Sequence, residues 1–172
     1  MSVPLTPVDP APTSVFSGTN IDESLYRYDP CCCYVDYLTL DPAPFGNVEA
    51  GRGYWLHLNS AATVQYEGYR STGTVAIPLP SACWYLIGTP QDTDQPLSNC
   101  EVRDTTTPEI KSLAAASDAG WLSVPLYFYD PASLGYRTCG LDPWEDDSYL
   151  RAWSGYWLCA RRGNLELRVP KP

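Results

Sequence analysis

Residues 25–30 read Leu25-Tyr26-Arg27-Tyr28-Asp29-Pro30, and residues 126–131 read Leu126-Tyr127-Phe128-Tyr129-Asp130-Pro131. The same landmarks follow each block in the same order. Leu-Asp-Pro stands at 40–42 and 141–143, and Gly-Tyr-Trp-Leu at 53–56 and 155–158, with one single-residue slip on the way. Identities ordered in this way mark an internal duplication. Upstream, Met1-Ser-Val-Pro4 aligns with Ile87-Gly-Thr-Pro90 at a shorter offset, so the second copy carries an insertion at about 103–121. The chain therefore divides into a first repeat over 1–80 and a second over 81–172, packed as one unit.

The repeated blocks read as strands. In Leu25–Pro30 the two tyrosines share one face, and Leu25, Arg27 and Asp29 share the other. Tyr34–Leu40, Tyr54–Leu58, Thr63–Glu67, Gly73–Leu79, Trp84–Gly88 and Leu165–Val169 are rich in aromatic and branched residues and are bounded by turn formers. With 17 prolines and 12 glycines in 172 residues, long helices have little room. A helix is expected at Ile110–Ala116, behind Thr107-Pro108 as cap and first helical position, and a short helical turn within Asp9–Phe16. The expected class is all-β: a sandwich or barrel made of two diverged repeats in pseudo-two-fold relation, with at most one or two short helices. Trp55 and Trp157 coincide between the copies and are expected in the core.

The succession Trp84-Tyr-Leu-Ile-Gly-Thr-Pro90, Leu-Tyr-x-Tyr-Asp-Pro and Gly-x-Gly-Tyr-Trp-Leu resembles the duplicated β-repeat modules of bacterial secreted and surface proteins. That resemblance implies a β-fold and an extracellular or cell-surface location, and it brings no catalytic residues. The copies depart from the pattern in two places. The counterpart of Cys83–Leu86 would lie before Met1, and Trp153-Ser-Gly155 stands where the first copy has Gly51-Arg-Gly53.

Net charge is −9, with three basic and eight acidic side chains in residues 1–80 and eight and twelve in residues 81–172. No basic patch able to neutralise several phosphates is expected, which excludes nucleic acid and anionic lipid as partners. No stretch approaches the ~20 apolar residues of a membrane span, so no membrane insertion is expected.

Seven cysteines, at 31, 32, 33, 83, 100, 139 and 159, form no CxxC spacing. Cys31 and Cys33 with His57 match no known metal-ligand spacing. The plain reading is a turn with semi-buried thiols, one of them bridged. Cys100 and Cys139 are peculiar to the second copy, each close to a matched block, and are expected to form a disulfide. No signal peptide is visible, yet abundant Tyr, Trp, Pro and Thr with only Lys111 and Lys171 favours an extracellular location.

His57, the only histidine, has no nucleophile motif beside it and reads as a packing or surface group. The loop Asp142-Pro-Trp-Glu145-Asp146-Asp147 could offer oxygens to calcium, but it lacks the glycine and spacing of an EF-hand loop and reads as solvated. Neither metal nor cofactor is expected. Trp144 and Trp153 lie in loops of one copy only. Beside Asp142, Glu145, Asp147 and Arg151 they are the ligand-binding candidates, since indole covers the apolar face of a sugar while charged groups bond its hydroxyls. Glu145, Asp147, Glu49 and Glu101 are the carboxylates a glycosidase pair would draw on.

The function expected is an extracellular, non-enzymatic structural, adhesive or assembly module. A carbohydrate-binding module that takes polysaccharide on the loop tryptophans is the alternative, and a glycosidase-like hydrolase a second. Because the strand Trp84–Ile87 has only its last residue matched in the first copy, an unpaired edge is expected near Met1. Self-association would fill that edge with Leu165–Val169 or another chain's terminus; a strand of the same chain would cover it instead.

Overall fold

A computed structural model describes residues 1–22 and 24–171. In chain order the elements are β1 (Thr6–Pro7), α1 (Pro12–Val15), β2 (Leu25–Tyr28), β3 (Tyr34–Asp36), β4 (Tyr54–Leu56), β5 (Gly68–Tyr69), β6 (Val75–Leu79) and β7 (Trp84–Gly88). They continue as β8 (Gln95–Pro96), a 3-10 turn (Leu97–Asn99), β9 (Glu101–Asp104), β10 (Ile110–Ser112), α2 (Leu113–Asp118), β11 (Leu126–Asp130), β12 (Gly135–Cys139), β13 (Tyr149–Leu150), β14 (Gly155–Cys159) and β15 (Leu165–Val169). The class is all-β, a sandwich of antiparallel sheets, with two short helices and no closed barrel among the described residues.

The duplication is visible in the strand ladders. The first copy orders its sheet β3-β2-β4, and the second orders the matching strands β12-β11-β14, with β7 added outside β14. Register is kept to the residue: Tyr26 faces Trp55 as Tyr127 faces Trp157, and Arg27 faces Tyr54 as Phe128 faces Tyr156. Met1 exchanges both backbone bonds with Tyr54 (2.7 Å each), the place Ile87 takes opposite Tyr156. The copies also reach into each other. Ser2 N donates to Trp153 O (2.9 Å), and Gly88 N donates to Gly51 O (3.0 Å), one bond repeated by the pseudo-two-fold.

The buried apolar side chains fall into two core clusters. Val3, Val15, Phe16, Leu25, Phe45 and Tyr54 lead the first. The second lies between the sheets β10-β9-β15-β6 and β12-β11-β14-β7, where Leu165, Leu167 and Val169 meet Leu126, Tyr156 and Leu158. Ile77 and Leu79 of β6 pack in this second core, because β6 pairs with β15 along its whole length. Alternation then fixes what points outward: Trp157 and Cys159 on β14, Tyr127 and Tyr129 on β11.

Several local expectations are corrected. The helix expected at Ile110–Ala116 begins at Leu113, because Ile110–Ser112 pairs with β9 and Ser112 Oγ caps the helix by accepting Ala115 N–H (3.2 Å). Thr63–Glu67 is not a strand; Val64 and Tyr66 pack on the first core, and the pairing moves to Gly68–Tyr69 against β1. Tyr34–Leu40 is strand only to Asp36. Leu165–Val169 cannot fill the gap beside Met1, since β9 and β6 occupy its two edges. Beyond Met1 and Ser2, no strand pairs with the outer edge of β4 among the described residues.

The bridged cysteines differ from expectation too. Cys31 is bonded to Cys83, tying the first copy to the entry of β7, and Cys32 to Cys33. Neither Cys31 nor Cys33 is therefore open to a metal. Cys100 and Cys139 do not form the expected bridge: both are free and buried in the second core, and Cys139 Sγ is turned toward Tyr149 O (3.4 Å). Burial pushes each of these thiols up to about 12.

Candidate binding surface at the joint between the copies

The outward faces of the repeated strands meet. Tyr28 packs on Trp157 (ring centroids 4.9 Å apart, 79°), and the mate of that pair, Tyr129 on Trp55, lies at 5.2 Å and 60°. Within each copy, Tyr28 touches Tyr34 (5.4 Å, 68°) and Tyr129 touches Tyr136 (5.7 Å, 75°). Three rings from each copy thus form a pseudo-symmetric cluster held by edge-to-face contacts. Trp55 and Trp157, expected in the core, are half-buried joint residues instead, because their strands turn Tyr54, Tyr156 and Leu158 inward.

The cluster runs past the joint. Trp84 packs near Tyr127 (6.2 Å), and Tyr28, Trp84, Tyr127, Tyr136 and Trp157 wall an open hollow of about 470 Å3. Tyr136 is 56% exposed and Trp84 43%. On the other side of Trp157 a groove of about 440 Å3 runs beside Met1, with Leu56, Trp55, Tyr129 and Trp153 in its walls. The two cavities share Trp157.

Trp153 occupies its place at a cost. Its φ is +70°, in the left-handed region that bulky residues avoid, and its counterpart Gly51 has φ +84°. Glycine adopts this backbone freely; tryptophan does not. The indole rests on Tyr66 (5.7 Å) and stays 40% exposed in the groove wall.

Arg151 and Asp147 hold the loop that carries this indole. Arg151 donates from Nε and Nη2 to both oxygens of Asp147 (2.7 and 2.9 Å) and from Nη1 to Asp94 (2.8 Å). Asp94 also accepts Ala152 N–H (2.9 Å), and Asp147 accepts the N–H groups of Ser148 and Tyr149. These bonds raise the guanidinium's pKa and keep Asp94 below its usual range. Both groups are engaged in positioning the loop, and Arg151 uses three of its five N–H donors in these bonds.

The remaining candidates are scattered. Trp144 is 77% exposed and lines neither aromatic cavity. Glu145 folds its side chain over Gly140, and Asp142 accepts Glu145 N–H through its backbone carbonyl (3.1 Å). Of the carboxylates weighed for glycoside hydrolysis, Glu101 pairs with Arg168 (3.1 Å) and Asp147 sits in the arginine clamp. Glu49 lines a separate cavity of about 240 Å3. Among the described residues, no three His, Cys, Asp or Glu side chains converge as a metal site.

Tyr34, Tyr136 and Trp84 belong to the aromatic cluster and are not among the candidates that the sequence singles out. The signal was present: Tyr34 and Tyr136 lie at the same offset as Gly-Tyr-Trp-Leu, and the shared face of Tyr26 and Tyr28 announced an aromatic side to the strand. Comparisons with protein-family models, with curated proteins and with solved structures return no match for this chain.

Proposed function

We propose that this chain is an extracellular, non-enzymatic adhesive module, and that the exposed part of the aromatic cluster is the surface it offers to partners. The observation that carries the reading is the five-ring hollow beside the joint, walled by tyrosine and tryptophan alone. Amphipathic rings left open to water in one contiguous patch are the usual mark of a binding surface. The Cys31–Cys83 bond supports an oxidising, extracellular setting. The engagement of Arg151, Asp147 and Glu101 in ion pairs supports a passive role.

The test is retention of labelled protein on a panel of immobilised glycans, mucin and denatured collagen, for the wild type and for the double variant Trp84→Ala, Tyr136→Ala. Both residues lie on the outer face, so the variant should keep its fold by circular dichroism. Loss of retention of about tenfold or more is expected; full retention contradicts the reading.

A second reading, carbohydrate binding, is favoured by Trp153 alone. A tryptophan held at positive φ, where the sister copy has glycine, is strain of the kind that gathers at functional sites. On a glycan array, Trp153→Gly should abolish binding and Trp144→Ala should leave it. Relief of the backbone and loss of the Tyr66 contact should offset each other to within about 1 kcal/mol of stability.

A further inference from the structure

We infer that the hollow walled by Tyr28, Trp84, Tyr127, Tyr136 and Trp157 binds an organic cation of the quaternary-ammonium class. The inference rests on the reading of the aromatic patch as a binding surface and names the ligand chemistry that the patch selects.

Three observations lead there. First, every wall of the hollow is a tyrosine or tryptophan. Each ring face carries the negative end of a quadrupole, which attracts a cation lying within about 6 Å of its centroid. The walls hold no aliphatic side chain, as an ordinary protein interface would, and no ammonium or guanidinium that would repel a cation.

Second, the charges fit. The protein carries −9 overall, a field that draws cations to its surface. The arginines next to two of the rings are neutralised within the fold: Arg27 is paired with Asp29 and donates to the carbonyls of Phe45 and Pro44, and Arg137 is paired with Asp130 (3.3 Å).

Third, the rings meet at steep angles, 79° for Tyr28 with Trp157 and 56° for Trp84 with Tyr127. Rings inclined to one another in an open hollow suit a roughly spherical trimethylammonium group, which can touch more than one of them. A flat pyranose stacks on one face. The walls are chiefly ring surface, so they offer few acceptors to the N–H donors of a primary ammonium or a guanidinium. A methylated nitrogen, which has no N–H to satisfy, loses least on entering.

The experiment titrates the full chain, disulfides intact, with choline chloride and with tetramethylammonium chloride, followed by calorimetry and tryptophan fluorescence. The control ligand is 3,3-dimethyl-1-butanol, which replaces the quaternary nitrogen by carbon. Both cations are expected to bind, and the neutral isostere at least about tenfold more weakly. Trp84→Leu should weaken choline binding by about tenfold, Trp84→Phe should keep most of it, and Trp144→Leu should leave it unchanged. No choline binding by the wild type, equal binding of the isostere, or indifference to Trp84→Leu overturns the inference.

The adhesion panel separates the two claims. If choline fails while Trp84→Ala, Tyr136→Ala still abolishes retention, the cation is rejected and the binding surface stands. If choline binds while that variant is retained in full, the adhesive reading falls and the cation site stands.

Discussion

Tyr54 and Tyr156 perform the same task in the two copies. Each is fully buried, and each phenolic oxygen accepts the backbone N–H five residues upstream, from Glu49 in one copy and Arg151 in the other, both at 2.8 Å. Burial raises both hydroxyls above the usual tyrosine range, Tyr54 to about 12. Replacing Tyr156 by Phe removes the acceptor and leaves the Arg151 N–H unpaired. A loss of about 1–3 kcal/mol is expected, read by chemical denaturation, with a similar loss for Tyr54→Phe. Asp104 gives a pH signature at the same scale. Hydrogen bonds from Thr106 N and Oγ1, together with Arg162, hold its carboxyl near 2 against the usual 3.8. A depressed carboxylate stabilises the fold above its unfolded pKa and ceases to do so as pH falls through its folded one. The stability gap between wild type and Asp104→Asn should therefore be full at pH 6 and close toward pH 2, as urea melts would show.

Between elements, the duplication depends on close backbone approach. A Cβ at Gly53 would come 3.0 Å from Ile87 O and 2.6 Å from Leu86 Cγ, and one at Gly155 would come 2.9 Å from Met1 O. These glycines are pseudo-equivalent, and each lets the Gly-Tyr-Trp strand sit against the strand beside it. Gly53→Ala and Gly155→Ala should each cost about 1–3 kcal/mol, since the backbone carbonyl cannot move aside. Gly73→Ala, with open space around the new methyl, should cost little, which makes it the control in the same thermal melts. This is the scale at which the sequence was most legible. Leu-Tyr-x-Tyr-Asp-Pro and Gly-Tyr-Trp-Leu announced matched strands, and the ladders pair them in one register. Ile110–Ser112 reads as helix because the alanines beyond it favour helix, while its partner strand, seven to eleven residues upstream, is joined by Thr105-Thr-Thr-Pro-Glu109, which lacks the Asn-Gly or Asp-Gly signal of a hairpin. Trp55 and Trp157 were misjudged because coincidence between copies marks a shared position, and a joint repeats as faithfully as a core.

For the whole molecule, the proposed binding surface follows from how the copies meet. Residue-by-residue reading placed the ligand surface on Trp144, Trp153 and the acidic loop, since those features differ between copies. The rings of the hollow, apart from Trp84, are tyrosines and a tryptophan of the repeated strands, and only the assembled halves show which of them remain open. Cysteine pairing was equally hidden, because Cys31 and Cys83 meet through the fold and not through sequence spacing. Their bond closes a loop of 52 residues across the two copies. Removing it as Cys31→Ser with Cys83→Ser should cost about 2–4 kcal/mol, visible as a lowered melting temperature. The halves meet through their outer aromatic faces, and aromatic cross-relaxation by NMR reads that contact directly. Cross-peaks between Tyr28 and Trp157 and between Tyr129 and Trp55 are predicted together, at the 4.9 and 5.2 Å ring separations. Absence of both, with contacts only inside each copy, would contradict it.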